Sequence, residues 1–407
     1  MSDVAVAFNP FEPGYAENPY AQYRSLRERD PVHQTAFGVW ALFRYDDVLH
    51  FLRDPSLSVE DARAKPTPLT QYMEEVLAER VQDRERGSRA MLNRDPPDHT
   101  RLRKLVSKAF TPRRIENLRP RIQQLVDGYL ETAAANGGME LIGDYAFKLP
   151  FAVITEMMGM PSADETKLRD WSGTLVRTLE PVVDPELMNA IADAAENMHG
   201  LILDAISWKR EHMADDLLSG LLTAEENGDM LSDEELIEQI MLLYIAGHET
   251  TVNLIGNGTL ALLRNPDQFE RLRSDPSLDA NAVEELLRYD PPVQMSRRIT
   301  LTEVEIGGKT IEDGMFVMCG LASANRDGAH FGPTAEEVDV GRANAKEHLS
   351  FGGGAHYCLG AALARIEGQV AIGSLVRRFQ RIEMAAEPVY NGRLNLRGPD
   401  SLPLAVS

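Results

Sequence analysis

The most constraining stretch of this chain is a glycine-rich loop that holds one of its two cysteines. The loop runs Phe351-Gly-Gly-Gly-Ala-His-Tyr-Cys358-Leu-Gly360. Because three consecutive glycines carry no Cβ, this backbone can adopt positive φ angles and lie flat against a large partner. Apolar residues follow at helical spacing and predict an amphipathic helix: Leu359, Ala362, Leu363 and Ile366. The Cys358 sulfur then lies at a helix N-terminus, where free N–H groups and the helix dipole favour a thiolate.

Cys358 is therefore a candidate metal ligand, and the residues around it restrict the choice of metal. A zinc site needs further Cys or His ligands at short spacing, but the other cysteine, Cys319, lies in the apolar, strand-like run Met315–Cys319. The sequence therefore argues against zinc. A single thiolate in a glycine loop suits an axial ligand of haem iron, because the porphyrin supplies the other four donors itself.

This loop resembles the haem-binding signature of the cytochrome P-450 family, and the resemblance covers nearly the whole chain. It implies a mainly α fold with small β-sheets, in which haem b lies between a long central helix and the cysteine loop with its following helix. Residues 1–407 would form a single catalytic domain, since no Ser/Gly-rich linker or charge block divides the chain. The resemblance places Phe351, His356 and Gly360 at the haem, with Cys358 on the iron.

The long central helix is predicted to run from a capping box, Ser232-Asp-Glu-Glu235, to about Leu263. Its middle, Ala246-Gly-His-Glu-Thr-Thr251, places an acid and two hydroxyls in a very apolar stretch, where propensity favours Leu or Ala. Buried polar groups need partners, so this pattern indicates chemistry or bound water. In the P-450 family an acid and an alcohol here assist cleavage of dioxygen, a role that falls to Glu249 and Thr250. Neighbouring residues are assigned to the cofactor or the substrate: Ala246, Gly247 and Leu243.

Two other patterns in this helix resemble unrelated motifs. His248-Glu249 begins a zinc-binding His-Glu-x-x-His pattern, but Val252 stands where the second histidine is required. Gly256-Asn-Gly258-Thr-Leu-Ala261 matches a dinucleotide fingerprint, yet it lies within a helix and follows no strand. We therefore interpret these glycines as small residues that allow close helix packing.

A second motif begins at Asp95-Pro-Pro-Asp-His99, where prolines and aspartates predict the start of a helix. His99 and Arg103 are four residues apart and share one face of that helix. Alone, such a pair is most often a solvated edge, but the resemblance assigns both to a haem propionate, with Arg298 and His356 as further ligands. The same segment is basic in an acidic protein, which indicates either a docking face for an acidic electron donor or an ordinary charged helix face: Arg101, Lys104, Lys108, Arg113 and Arg114.

The resemblance also implies a buried triad behind the haem. Glu285 and Arg288 share one helical face, and Arg342 from a later loop would join them to support the cysteine loop. Two stretches, residues 54–95 and 171–198, are expected to cover the substrate, although any residue of the first could equally belong to an ordinary surface loop and the apolar residues of the second could equally be core. The residues assigned to substrate contact are Met91, Leu92, Leu243, Val293, Gln294 and Met295.

Composition restricts the partners and the location. The 42 Lys and Arg residues stand against 63 Asp and Glu, and the net charge of −21 argues against nucleic acid and anionic membranes as partners. No run approaches the ~20 apolar residues of a membrane span, and the N-terminus lacks a basic segment typical of a signal peptide. Two cysteines leave no disulfide framework. We therefore expect a cytoplasmic protein, and we expect it to be a monomer.

Together the motifs predict a haem-thiolate monooxygenase that inserts one oxygen atom of dioxygen into an apolar or moderately polar small organic molecule. Because the chain contains no flavin or dinucleotide module, electrons would come from NAD(P)H through a ferredoxin-type partner and its reductase. Two alternatives are a peroxide-driven haem peroxygenase, against which the Glu249-Thr250 pair argues, and a haem sensor, which needs no proton relay. Macrolide, terpenoid, steroid and fatty-acid substrates all stay open.

Overall fold

A computed structural model describes residues 7–67, 71, 90–160, 165–180, 184–226 and 228–407 of the chain. These residues are mainly helical, as the resemblance predicts. The described helices are α1 Tyr20–Arg29, α2 Tyr45–Arg53, α3 Asp98–Ala109, α4 Pro112–Asn117, α5 Arg119–Asn136, α6 Lys148–Met158, α7 Glu165–Leu175, α8 Pro185–Glu211, α9 Leu217–Leu222, α10 Asp233–Leu263, α11 Pro266–Ser274, α12 Asp279–Tyr289, α13 Leu321–Ala324, α14 Gly328–Phe331 and α15 Ala361–Arg378. Within these ranges, no helix has the length and apolar character needed to cross a bilayer.

The strands are short and form small sheets, which confirms the predicted fold class. They are β1 Val32–Gln34, β2 Trp40–Leu42, β3 Gly138–Glu140, β4 Glu225–Glu226, β5 Asp229–Met230, β6 Ser296–Ile299, β7 Val304–Ile306, β8 Lys309–Ile311, β9 Phe316–Cys319, β10 Ile382–Met384, β11 Val389–Tyr390, β12 Pro399–Ser401 and β13 Pro403–Val406. The largest sheet has the order β1-β2-β9-β6, and a second has the order β10-β13-β3. In the first, β2 pairs with β1 as an antiparallel hairpin and with β9 in parallel, with Trp40 opposite Val317.

The chain divides into two compact units that interleave along the sequence. One comprises Met1–Ser58, Glu116–Leu149 and Thr250–Ser407, and the other comprises Val59–Ile115 and Pro150–Glu249. Helix α10 contributes to both, because the division falls inside it. A single domain over residues 1–407 therefore stays a prediction.

In the first unit, α1 shows how a simple apolar pattern produces a packed element. Tyr20, Tyr23 and Leu26 recur at helical spacing and are all buried. The helix ends before Asp30, because a residue that precedes proline is disfavoured in the helical conformation. The buried face of α1 packs in a cluster with Phe43 and with residues from the β-sheet region.

In the second unit, the start of helix α10 confirms the predicted capping box. The backbone N–H of Glu235 donates to the Ser232 hydroxyl at 3.2 Å, and the Glu235 carboxylate accepts from the Ser232 N–H at 3.0 Å. Of the stretches expected to cover the substrate, residues 68–70, 72–89 and 181–183 lie outside the described residues. The described part of the first stretch includes a short turn, Met91–Asn93, just before α3.

Candidate functional site

The cysteine loop, residues 351–358 of the first unit, has a closed shape that its glycines make possible. The backbone N–H of Cys358 donates to the carbonyl of Phe351 at 2.9 Å and closes the loop. Gly352 and Gly354 have φ angles of 71° and 66°, which residues with a Cβ rarely adopt. At Gly354 a Cβ would lie 2.6 Å from the carbonyl oxygen of Leu52, so the backbone can pass there only as glycine. The loop presents Cys358 as an exposed side chain.

Cys358 lies at the start of helix α15, as the apolar pattern predicts. Gly360 occupies the N-cap position of this helix. A Cβ on Gly360 would lie 4.0 Å from the Cys358 Sγ, so the sulfur lies directly beside the first turn. The free N–H groups and the dipole of that turn favour a thiolate over a thiol.

Phe351 anchors the beginning of the loop in the core of the first unit. Its ring is 9% exposed, and the Arg365 guanidinium lies 4.5 Å from the ring centre. The residues buried around it come from α10, α12 and α15: Leu254, Val283, Leu287 and Ala361. These contacts fix the loop on three helices, while contact between Phe351 and a cofactor stays a prediction.

Arg298, a predicted propionate ligand, is buried beside the turn that supports the loop. Its guanidinium donates to the carbonyl of Leu52 at 3.0 Å and to the carbonyl of Arg297 at 2.6 Å. The Leu52 carbonyl is also the group that Gly354 approaches, so Arg298 and the cysteine loop meet at the end of α2. His356 is half-buried in the turn just before Cys358. The first unit therefore brings a cation, a histidine and the cysteine into one region.

The predicted triad forms, and it is fully buried. The Glu285 carboxylate accepts from Arg288 Nε at 2.7 Å and Nη2 at 2.8 Å, and from Arg342 Nε at 3.1 Å. Glu285 and Arg288 are 0% exposed and Arg342 is 6% exposed. Two guanidinium groups on one carboxylate leave a positive excess, which backbone carbonyls offset: those of Asn325, Phe331, Thr334, Ala335 and Glu337.

A hydrogen-bond path connects this triad to the cysteine loop. Arg288 Nη1 donates to the carbonyl of Asn325 at 2.8 Å. The Asn325 side chain accepts from the Leu349 N–H at 2.7 Å and donates to the Ser350 hydroxyl at 2.8 Å. Ser350 immediately precedes Phe351, so the triad fixes the residues from which the loop departs. This geometry supports the interpretation of the triad as structural.

A second charged cluster beside the loop was missed by the sequence analysis. The Glu284 carboxylate accepts from Arg365 Nε at 2.6 Å and lies 3.0 Å from His348 Nε2, while Arg365 Nη1 donates to the Tyr357 hydroxyl at 3.3 Å. Burial raises the pKa of Glu284, but the hydrogen bonds from His348 and Arg365 outweigh it and lower that pKa to about 2. The only sequence signal is the place of Arg365 in α15, the helix that follows the cysteine loop, since its partners lie far away in sequence.

The first-unit part of helix α10 begins with two hydroxyls that differ in their surroundings. Thr250 is half-buried, whereas Thr251 is buried and faces Glu367 of α15. Glu367 is 1% exposed, and neither carboxylate oxygen has a hydrogen-bond partner among the described residues. Burial raises the pKa of Glu367 to about 8, although the nearby Thr251 hydroxyl opposes the shift. Glu367 is therefore a neutral acid near pH 7.

In the second unit, the predicted acid follows a buried histidine. His248 Nδ1 donates to the carbonyl of Tyr244 at 2.7 Å, which leaves Nε2 toward Glu249, 3.9 Å from Oε2. Glu249 is 9% exposed, while Ala246 is exposed in the middle of a long helix. A Cβ on Gly247 would lie 3.8 Å from Ile154, an ordinary contact distance, so packing alone does not require glycine there. The roles of Ala246, Gly247 and Glu249 toward a cofactor stay predictions.

The predicted propionate pair of the second unit lies on helix α3. His99 is 2% exposed and Arg103 is half-buried. Burial lowers the pKa of His99, and the charge of Arg103 lowers it further, whereas Asp95 partly opposes the shift. His99 is therefore neutral at pH 7 and can donate one hydrogen bond, with the positive charge supplied by Arg103.

The predicted substrate residues have different surroundings. In the second unit, Met91 and Leu243 are buried, and Leu92 is 40% exposed. In the first unit, Val293 is half-buried. Gln294 is 1% exposed and bonds to the Pro291 carbonyl, and Met295 packs among the tyrosines of α1. The contacts of these last two are core contacts, and a substrate role for all six stays a prediction.

The basic segment predicted to dock an electron donor is partly neutralised. Arg101 pairs with Glu235 and Asp229, and Arg114 pairs with Asp215 at 2.6 Å. Lys108 donates to the carbonyl of Glu225. The exposed cations Lys104 and Arg113 are the remaining members of the segment. The positive surface is therefore smaller than the sequence suggests.

The donor set of the first unit suits a cofactor that brings most of its own ligands. No group of three or more His, Cys, Asp or Glu residues that could hold a metal ion occurs within the described ranges. Cys358 alone is exposed at a helix start, and Cys319 is fully buried, with burial raising its pKa to about 12. A haem iron, which would take one thiolate from the protein, fits this arrangement.

Comparison with known proteins decides the family. The sequence model of the family described as Cytochrome P450 matches residues 27–391. The chain belongs to the cytochrome P450 family. It is 41% identical to cytochrome P450 107B1 of Saccharopolyspora erythraea over 97% of this chain and 96% of that protein. It is 42% identical to vitamin D(3) 25-hydroxylase of Pseudonocardia autotrophica, again over 97% of this chain and 96% of that protein.

A solved P450 structure has the same architecture. The cytochrome P450 PksS of the bacillaene polyketide synthase of Bacillus subtilis superposes with a TM-score of 0.88 at 36% identity, covering 98% of this chain and 100% of that chain. The predicted fold and family are thereby confirmed. This P450 is a haem enzyme of the monooxygenase family and therefore an oxidoreductase.

Proposed function

We propose that Cys358 binds the iron of haem b as a thiolate and that this P450 oxygenates an apolar or moderately polar small molecule by hydroxylation or epoxidation. The observation that carries the proposal is the exposed Cys358 at a helix start, in a glycine loop fixed by buried ion pairs. The haem supplies the activation of dioxygen when it is bound. His99, Arg103, Arg298 and His356 would hold the propionates, and Phe351 and Gly360 would lie beside the macrocycle.

Two residues of helix α10 are proposed to move protons. Oxygenation consumes two protons with its two electrons, because the second oxygen atom leaves as water. Thr250 is half-buried on the same helical face as exposed Ala246, four residues earlier, so its hydroxyl can reach a ligand on that face. Glu249 would bring protons toward it, and Gly247 would leave room for the cofactor.

The electron donor is proposed to be a ferredoxin-type protein that receives electrons from NAD(P)H through its reductase. The support is the pair of exposed cations Lys104 and Arg113 in a protein with a net charge of −21. A monomeric state and a cytoplasmic location stay predictions. Because charge attraction weakens with salt, turnover at limiting ferredoxin should fall as ionic strength rises.

The substrate is proposed to be a bulky apolar molecule of steroid or polyketide type. The support is the names of two relatives, a vitamin D(3) hydroxylase and a P450 of a polyketide synthase. Leu243, Met91, Leu92, Val293, Gln294 and Met295 are the residues proposed to contact it. Titration with a panel of steroids, polyketides, terpenoids and fatty acids tests this class through the spectral change that follows displacement of water from haem iron.

The central experiment is a spectrum of the reduced protein with carbon monoxide. Thiolate ligation should give the red-displaced absorption typical of this family, and Cys358→Ala should abolish it. Substrate oxidation should then require NAD(P)H, ferredoxin and reductase. In Thr250→Ala, a larger share of the electrons than in the parent enzyme should go to peroxide instead of product. An unchanged spectrum in Cys358→Ala would refute the ligand, and unchanged coupling in Thr250→Ala would refute the proton role.

A further inference from the structure

One face of the C-terminal half of helix α10 is polar although the helix is buried there. Thr250, Asn253, Asn257 and Arg264 are separated by three, four and seven residues, so they share one side of the helix. At 1.5 Å per residue, they extend over about 21 Å of helix axis. Thr250 stands at one end of this polar face, and the exposed Arg264 stands at the other.

The two asparagines in the middle of the polar face carry unsatisfied atoms. Asn257 is 1% exposed; its Nδ2 donates to the carbonyls of Asp290 at 3.3 Å and Arg397 at 3.0 Å, and its Oδ1 has no partner within the described chain. Asn253 is 2% exposed, and its Nδ2 likewise has no partner there. A buried polar group without a partner is costly, so ordered water is the physical expectation at both atoms.

A cavity adjoins the far end of the polar face. Its volume is about 380 Å³, and Leu260, Ala261 and Arg264 of helix α10 contribute to its wall. Asp290 and Arg397, whose carbonyls hold Asn257, line it as well. Asn257 therefore lies directly behind the cavity wall, one helical turn from Asn253 and two turns from Thr250.

The cavity is polar and has exposed residues in its wall. Its charged residues are Glu17, Arg24, Arg264, Asp290, Arg326, Glu336 and Arg397. Asp290 accepts from Arg397 at 2.5 Å and from the Tyr20 hydroxyl at 2.6 Å, and Glu336 pairs with Arg24 at 3.1 Å. Ala21 and Arg24 are exposed at its edge on helix α1. Solvent water can therefore fill the cavity.

We propose that a chain of ordered water molecules extends from this cavity past Asn257 and Asn253 to the hydroxyl of Thr250. We propose that this water file, as we call the chain, supplies protons for dioxygen reduction. A proton from cavity water would pass from water to water, and the Thr250 hydroxyl would pass its own proton on and receive the next one. The asparagines are positioning residues: Asn253 would donate to one water molecule through Nδ2, and Asn257 would accept from another through Oδ1. The use of the protons rests on the proposed function. The water sites do not, because they follow from the burial and geometry of the two asparagines.

Two substitutions interrupt the file at different points. Asn253→Leu removes the middle water site with a side chain of similar size. Ala21→Trp fills the cavity from an exposed position on another helix and leaves α10 unchanged, so it decides the question if Asn253→Leu does not fold. Thr259→Val is the matched control, because Thr259 is a buried hydroxyl of the same helix that also lacks a partner in the described structure but lies on another face.

The first readout is independent of activity. A crystal structure of the holoenzyme at a resolution that shows ordered water should contain water bonded to Asn253 Nδ2 and to Asn257 Oδ1. The water at residue 253 should be absent in Asn253→Leu and retained in Thr259→Val. Absence of both waters in the parent enzyme overturns the inference.

The second readout is proton supply during turnover. Product formed per NAD(P)H should fall by about threefold in Asn253→Leu and in Ala21→Trp, and the solvent deuterium isotope effect on product formation should rise by about twofold. Thr259→Val should match the parent enzyme. If waters are present but neither interrupting variant changes coupling or isotope effect, the waters are structural and the inference is wrong. Loss of the thiolate spectrum with carbon monoxide would instead refute the proposed function and leave the water sites standing.

Discussion

The strongest quantitative prediction concerns Glu367, a carboxyl group buried without a hydrogen-bond partner in the described structure. Its pKa is raised by burial from 4.5 to about 8, so folding favours the protonated form. A group of this kind contributes stability that is fully present below about pH 4.5 and is lost as the pH rises through about 8. At 1.36 kcal/mol per pKa unit, the loss between pH 5 and pH 7.5 is about 3 kcal/mol.

Glu367→Gln isolates this effect, because glutamine has nearly the shape of the protonated acid and does not ionise. The variant and the parent should have similar stability at pH 5, and the variant should be more stable by about 3 kcal/mol at pH 7.5. The measurement is the urea midpoint of the holoenzyme at both pH values, with circular dichroism as the probe of unfolding. A constant difference across this range, or a less stable variant at pH 7.5, would show that Glu367 is ionised and stabilised.

Glu284→Gln is the matched control with the opposite sign. Hydrogen bonds from His348 and Arg365 overcome burial and lower the pKa of Glu284 from 4.5 to about 2, so its stabilisation is present above about pH 4.5 and is lost only as the pH falls through about 2. The difference of about 2.5 pKa units corresponds to about 3 kcal/mol. Glu284→Gln should therefore be less stable than the parent by a similar amount at pH 5 and at pH 7.5.

Two further predictions follow from buried groups of the first unit. Glu285→Ala leaves Arg288 and Arg342 as uncompensated buried charges and should lower the free energy of unfolding by about 3–5 kcal/mol. Glu270→Ala, which removes the surface partner of Arg273, should lower it by less than about 1 kcal/mol. Urea midpoints of the two variants measure both effects. Cys319 is fully buried, and burial raises its pKa to about 12. It should therefore resist a thiol alkylating agent at pH 8 in the native holoenzyme, which mass spectrometry of the peptides measures. Modification at the rate of an exposed thiol would contradict its burial.

Local patterns in the sequence predicted two elements beside the site. The capping box at Ser232 and the glycine loop before α15 each express short-range physics, and the structure has both of them at the expected place. The glycines at 256 and 258 also behave as predicted. Cβ atoms there would lie 2.9 Å from Ile142 and 3.0 Å from Ile372, so small residues permit the close helix packing.

Long-range charge partners could not be predicted in the same way. The triad of Glu285, Arg288 and Arg342 was expected from the resemblance, since a Glu and an Arg three residues apart are common on exposed helix faces. His348 and Arg365 lie 64 and 81 residues after their shared partner Glu284, so no spacing rule connects them. The polar face of α10 did carry a sequence signal, because Asn253 and Asn257 stand at helical spacing in an apolar helix. Only the structure shows that their atoms lack partners and that a cavity adjoins them.

The cysteine loop itself contains little regular structure, so its position must be set from outside. Three anchors do this in the first unit: the Leu52 carbonyl against Gly354, the Asn325 side chain on Leu349 and Ser350, and the Arg365 guanidinium over Phe351. Two of them are held in turn by ion pairs, one buried at Glu285 and one half-buried at Glu284. An ion pair that is withdrawn from water adds little net stability compared with apolar packing, but it requires one geometry. We infer that these pairs are present to fix the sulfur in one place, since a thiolate ligand must be held accurately while the loop that bears it cannot hold itself.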